Sequence, residues 1–279
     1  MKLQLVAPRQ GAVWVRKAFQ VFARQPLGFA SLFAACLFVF LLLGLIPLVG
    51  TIALLVLPPA GSLLFMIASR RVSEGQPAMP GAIVDLVSAG KSRLMALLKL
   101  GIAYAAVTFL VFWLAHVLDG GALESFLAAL PDPKTAPESA AARLSDPRLQ
   151  LGLLLRLVFA GALSIPFWHA PALVFWGSQG WAKSLFFSSV AVWRNKGAFA
   201  VYGLVWMALW LLLLAIVSIG VGVFGPQRFT LVATPLTLVF STIFYASLWF
   251  TFADCFSPAD AGVPGDDVDS NDSLTKGSS

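Results

Sequence analysis

Charge is scarce in this 279-residue chain: Asp, Glu, Lys and Arg make up 11% of it, against 59% apolar residues. Soluble domains carry about a quarter charged residues, so a soluble globule is excluded and the chain reads as a membrane protein. Histidine is nearly missing, with His116 and His169 as its two copies, and the glutamates are Glu74, Glu124 and Glu138, all in expected loops. Cys36 and Cys255 sit in apolar stretches near opposite ends with no ligand spacing, which excludes a disulfide framework and predicts two buried free thiols. No His-x-x-x-His helix, no Gly-x-Ser-x-Gly elbow and no paired-cysteine motif occurs. The chain is therefore expected to be no enzyme, with no catalytic, cofactor or metal site.

Long apolar runs are what the sequence has instead. At roughly 20 residues per transmembrane helix there is room for five to seven spans and none for a separate soluble catalytic domain. The runs predict an all-α, polytopic helical bundle over residues 1–256, with six spans at about 27–49, 51–69, 94–117, 151–174, 199–223 and 231–253. The first two form a tight hairpin around Pro47, Gly50 and Thr51, which carry no charge. A polar loop with four prolines joins spans three and four across residues 119–150, and Pro166 and Pro171 interrupt the fourth span. Small residues such as Gly101 and Ala105, or Ala160 and Ala162, are expected to let helices approach closely. Residues 257–279, rich in Asp, Ser and Gly, are expected to be a disordered acidic tail. The basic, aromatic stretch before the first span lacks the short apolar core of a secretory signal, so that span is expected to persist.

Fourteen of the nineteen Lys and Arg fall on one side of this topology. The other side has Lys134, Arg143, Arg148 and Arg228, and Arg156 lies within the fourth span. Positive-inside asymmetry then puts both termini in the cytoplasm of a bacterium, with the body in its inner membrane. The formal charge of +6 is a topology signal and calls for no nucleic acid.

Projected at about 100° per residue, residues 13–24 put Arg16, Lys17, Gln20 and Arg24 on one arc. Trp14, Val15, Ala18, Phe19, Val21 and Phe22 fill the opposite arc. This is an interfacial amphipathic helix, basic face to the headgroups and aromatic face to the acyl boundary. Residues 82–90 and 183–196 precede spans three and five in the same way. The expected plan is three pseudo-repeats, each an interfacial helix plus a hairpin of two spans. Trp168, Trp176, Trp181, Trp193 and Trp249 fall where an interfacial aromatic belt falls.

The glycines of residues 220–225 match a dinucleotide-binding pattern by letter. They close an apolar helix, with no strand before them and no acidic residue at the needed distance, so no nucleotide site is expected. Gly90-Lys91-Ser92 likewise lacks the strand and first glycine of a phosphate loop.

Two polar clusters remain as candidates. On the cytoplasmic side His169, Lys183, Arg194, Asn195 and Asp254 fall near one membrane depth, where they could build an anionic-headgroup or substrate site, or simply cap helix ends. Near the outer ends of spans three and four, His116 and Asp119 share a helix face and could meet Arg156, as a functional site or a structural pair.

The segments 167–173 (Phe-Trp-His-Ala-Pro-Ala-Leu), 183–188 (Lys-Ser-Leu-Phe-Phe-Ser), 194–197 (Arg-Asn-Lys-Gly) and 11–16 (Gly-Ala-Val-Trp-Val-Arg) resemble an uncharacterised family of proteobacterial multi-spanning inner-membrane proteins. The resemblance runs over residues 1–256. It implies membrane residence and an all-helical bundle, and brings no activity and no site residues. The expected function is a non-enzymatic role through lipid or protein contacts at the basic, aromatic cytoplasmic face. The partners would be the lipid bilayer, anionic phospholipid headgroups, a second copy of the chain or another membrane protein. The alternative is a transporter or pore for a small solute or lipid, formed by an oligomer.

Overall fold

The computed structural model describes residues 1–129 and 145–257. Residues 130–144 of the expected polar loop, and the expected tail beyond Ser257, lie outside the described residues. Helix α1 (Gln10–Arg24) buries Trp14, Val15, Ala18 and Val21 and leaves Arg16, Gln20 and Arg24 exposed. Pro26 bars its neighbour Gln25 from helical geometry, and the chain turns there into α2 (Pro26–Gly44). This helix is apolar on every side and buries only Phe29 and Leu32, so nearly all of its surface suits lipid.

A turn at residues 45–48 reverses the chain into α3 (Val49–Val56), which continues after a 45° bend as α4 (Pro58–Ser73). The bend is local chemistry: Pro58 and Pro59 have no N–H to give to the preceding turn. The short α5 (Gly81–Val87) leads into α6 (Lys91–Asp119), followed by α7 (Ala122–Ala129) at the start of the expected loop. Ala, Leu and Glu are strong helix formers, and Leu123 and Phe126 give α7 a face to set against α8 (Pro147–Phe167). At the start of α8 the Asp146 carboxylate accepts the Arg148 N–H, with Pro147 at the first helical position. After a break come α9 (Ala170–Phe175), α10 (Trp181–Arg194), α11 (Lys196–Phe224) and α12 (Pro226–Cys255). Strand β1 (Lys2–Leu3) pairs antiparallel with β2 (Phe256–Ser257), Lys2 opposite Ser257.

Among the described residues, five stretches are long and apolar enough to cross a bilayer: α2, α6, α8 with α9, α11 and α12. The bent pair α3 and α4 makes a sixth. The result is an all-α, multi-pass membrane bundle. Its outer surface is apolar: Leu27, Phe109, Leu157, Ile219 and Leu231 are all strongly exposed.

The shorter helices are where the structure departs from the sequence pattern. α1 lies across α11 and α12, α5 packs on α4, and α10 packs on α8 and α9. Much of the aromatic face of α1, expected against acyl chains, is covered by protein instead, though Phe19 stays exposed; Trp14 is fully buried with its ring 5.4 Å from Phe199 and 6.0 Å from Tyr202. Helical periodicity shows that a face is apolar and leaves open whether lipid or protein will cover it. The tryptophans divide likewise: Trp181 and Trp193 are exposed, while Trp168, Trp176 and Trp249 pack among aromatic rings.

Close helix approach occurs at Gly101, where a Cβ would overlap the main chain of Val56 in α3. Ala160 and Ala162, expected at a similar contact, are exposed. Gly101→Leu should therefore lower the melting temperature in mild detergent, because α3 and α6 must move apart. Gly61→Leu, at a position where nothing lies within 4 Å of a Cβ, should leave it unchanged.

Candidate functional site

At the end of the bundle where α1, α5 and α10 dock, the polar side chains form separate stitches between helices. Asp254, at the end of α12, is the first. Its Oδ2 accepts hydrogen bonds from Gln10 Nε2 at 2.5 Å and Trp14 Nε1 at 2.8 Å, with Lys17 Nζ 3.8 Å away. The indole N–H lies in an otherwise apolar contact, and an unmet donor there costs about 1–3 kcal/mol. Asp254 meets it and fixes the rotation of α1 on the bundle.

Asn195, between α10 and α11, is the second stitch and is 2% exposed. Its Oδ1 accepts the Val6 N–H at 2.9 Å, and its Nδ2 donates to the carbonyls of Gln4 and Ala191 and reaches Cys255 Sγ at 3.6 Å. Asn195 thus clasps the N-terminal arm beside the β1–β2 pair. Cys255 is a buried free thiol and Cys36 a half-buried one.

The third stitch repairs the break between α8 and α9. In an unbroken helix the His169 N–H would donate to the Ile165 carbonyl four residues back. Here Ser188 of α10 stands between them, its hydroxyl accepting the His169 N–H at 2.9 Å and donating to the Ile165 carbonyl at 3.1 Å. The side chain of His169 is fully buried among Phe199, Phe252 and Phe256, with ring centroids 5.5–5.9 Å away.

The histidine tautomer follows from its neighbour. Thr251 Oγ1 gives its proton to the Leu248 carbonyl and accepts the Trp168 indole N–H, so His169 Nε2, 3.2 Å away, must be a donor. Nδ1 is left a bare acceptor, buried and without a partner among the described residues. His169 and Asp254 therefore serve different contacts.

Lys183 and Arg194 join none of these stitches. Both are exposed, and Lys183 Nζ sits 5.7 Å over the Phe187 ring. Sequence periodicity missed two further contacts between separate elements at this end, Arg71 with Asp85 and Arg70 with the rings of Trp176 and Trp249. Arg71 Nη1 donates to Asp85 Oδ2 at 2.8 Å, joining α4 to α5. Arg70 pairs with Glu74 at 2.8 Å, and its guanidinium carbon lies 5.8 Å from the rings of both Trp176 and Trp249.

At the opposite end the structure brings together Asp119 and Arg156 and separates His116 from them. Arg156 Nη1 donates to Asp119 Oδ2 at 2.5 Å, and the Gly121 N–H donates to Oδ1 at 2.9 Å. The carboxylate is fully buried and the arginine side chain 12% exposed. Gly152, one turn from Arg156, makes room: a Cβ there would overlap the carboxylate. Removing one partner of such a pair leaves an uncompensated buried charge, at a cost of about 3–5 kcal/mol. His116 turns to α7 instead, its Nδ1 2.9 Å from Glu124 Oε1.

Between the two ends lies a cavity of about 250 Å³. Its walls come from α4, α6, α8 and α12, and Arg156 borders it. Among the described residues no group of three or more His, Cys, Asp or Glu side chains could hold a metal ion.

Comparison with known proteins gives 32% identity over 266 residues to a probable inner membrane protein of Burkholderia thailandensis, covering 95% of this chain and 97% of that protein. No family model and no solved structure matches the chain.

Asp254→Ala should destabilise the protein by about 1–3 kcal/mol, because the buried Trp14 N–H loses its acceptor. Asp254→Asn, which keeps a carbonyl oxygen, should cost less. Denaturation in mixed micelles, followed by tryptophan fluorescence, measures both.

Proposed function

The chain belongs to the family of the Burkholderia inner-membrane protein, and from that premise we propose that it is a non-enzymatic inner-membrane protein acting through anionic headgroups at its basic end. One observation carries this reading. The carboxylates described at that end are already engaged: Asp254 with α1, Asp85 with Arg71, and Glu74 with Arg70. Arg16, Arg24, Lys91, Arg93, Lys183 and Arg194 are exposed there with no carboxylate in ion-pair contact among the described residues. Their charge is left for a surface outside the chain, and anionic lipid is the surface a membrane protein always has beside it. Phe19, Trp181 and Trp193, exposed at the same end, suit the headgroup boundary.

The proposal includes three duplicated units, each an interfacial helix, an outgoing span and a returning span. Two observations support it. Each returning span contains proline within it or at its bend: Pro58, Pro166 and Pro235. Each interfacial helix docks on the spans of the preceding unit, and the first docks on those of the last. Both termini are cytoplasmic in this reading, as the excess of Lys and Arg at the basic end requires.

A transport role is favoured by one separate observation: the bend at Pro58 and the break after Phe167 both border the internal cavity, as discontinuous helices border substrate sites in transporters. Solute or lipid flux above background in liposomes would establish it.

Replacing Arg16, Arg24, Lys183 and Arg194 together by Gln should lower the preference for anionic lipid, by up to about 1 kcal/mol for each charge. The measurement is quenching of tryptophan fluorescence by brominated phosphatidylglycerol against brominated phosphatidylcholine. An unchanged, salt-independent ratio would reject the proposal. For the orientation, green fluorescent protein fused at either end should fluoresce in cells, and alkaline phosphatase joined after residue 140 should be active.

A further inference from the structure

We propose that the internal cavity is a binding site for the polar head of a single acyl chain, whose carbonyl or carboxylate oxygen takes hydrogen bonds from Arg156 Nε and Thr108 Oγ1. This goes beyond the charge-based reading of the basic end and does not depend on it.

The geometry starts with two unmet groups. Thr108 Oγ1 and Arg156 Nε are both buried, and neither has a hydrogen-bond partner among the described residues. Thr108 is 8% exposed. Both residues line the same cavity, from facing helices α6 and α8. Polar groups left bare in an apolar interior are costly, so two of them at one void mark the place of an acceptor that belongs there.

The chemistry of the acceptor follows from what surrounds it. The guanidinium already uses Nη1 for Asp119, whose carboxylate balances its charge. What remains is a nearly neutral ion pair whose buried Nε–H has no partner among the described residues, beside one hydroxyl. That suits an oxygen with little or one negative charge, because a dianion would face the Asp119 carboxylate. The rest of the wall is mostly apolar and aromatic, with Pro58, Pro59, Phe112, Phe167 and Phe244 in it beside the hydroxyls of Ser62, Ser164, Tyr104 and Tyr245. A lone water would satisfy the two donors and leave most of about 250 Å³ empty, whereas an alkyl chain fills it.

Depth and access agree with this ligand. Arg156 is nine residues into α8, about 14 Å from its start at 1.5 Å per residue. The cavity runs from there toward Phe167, Trp168 and Leu248, so a chain would enter head outward. Phe112 and Ala160 line the cavity and are also exposed on the apolar outer surface, which puts its mouth on the lipid side. The same acyl oxygen could come from a free fatty acid or from the ester of a bilayer glycerolipid.

Two probes separate these sources: palmitic acid carrying a diazirine, and phosphatidylethanolamine carrying the same diazirine on one acyl chain. The full-length protein is reconstituted into phosphatidylethanolamine and phosphatidylglycerol vesicles, irradiated with each probe, and the adducts are mapped by mass spectrometry. Adducts on Tyr104, Phe167 or Phe244 are expected with at least one probe, and which probe gives them names the source. Thr108→Val keeps the shape of the wall and should lower this labelling about fivefold, the worth of one hydrogen bond. Ser164→Phe should abolish it by filling the cavity; the Ser164 hydroxyl bonds only its own helix, at the Gly161 carbonyl, so its loss is mild. Labelling of Leu157 on the outer face reports that each variant is folded and in contact with lipid. Adducts confined to such outer positions with both probes, or cavity adducts that survive both substitutions, would overturn the proposal.

Discussion

Lipid tails are as apolar as leucine, so helical hairpins in a bilayer gain little by merely hiding hydrocarbon from one another. What draws these hairpins together must be polar or depend on fit. The structure answers at its basic end, where buried or half-buried side chains cross from a short docked helix to the end of a returning one. Asp254 accepts from Trp14 and Gln10, Arg71 donates to Asp85, and Ser188 enters the broken ladder between Ile165 and His169. Aromatic packing around Trp14, Trp168 and Tyr202 then fills the space these contacts define. Remaining helix surfaces are left to the acyl chains, and α2 shows how little of a span needs to be buried for the arrangement to hold.

Much of this was legible before any coordinates. Runs of Leu, Phe and Val gave the long helices. The spacing of residues 13–24 gave α1 with its buried and exposed arcs. The pairing of Asp119 with Arg156 was legible too, because two ionisable groups near one end of adjacent spans have few other partners. Other features carry no local signature. That the aromatic arc of α1 meets α11 and α12, that Arg71 finds Asp85, and that His116 prefers Glu124 are choices among partners far apart in the chain. Ser188 looked like any serine on an interfacial helix; its role exists only because α10 lies across a break in another helix. Gly152 looked like one small residue among many, until the carboxylate packed against it gave it a reason.

The two ends of the bundle handle charge in opposite ways. At the end away from α1, α5 and α10 the buried Asp119 and Arg156 consume one another, and the guanidinium is anchored beside the cavity. At the basic end three carboxylates serve internal contacts, and the surplus cations are pushed outward. One end is thereby nearly neutral and inward-looking, the other positive and outward-looking. In the reading proposed above, this arrangement suits an apolar ligand from the bilayer at one depth and a charged headgroup layer at the opposite face.

Trp14 and Asp254, joined by a single hydrogen bond, are 240 residues apart in the chain. Helix α1 thus rests on two helices that are synthesised long after it, and Trp14 lacks its partner Asp254 until α12 is complete. During that interval the face carrying Trp14 must lie on something, and the headgroup boundary, which accommodates tryptophan and basic residues alike, is the only surface suited to it. The amphipathic character of α1 thus suits the membrane surface during assembly as well as its place in the finished bundle.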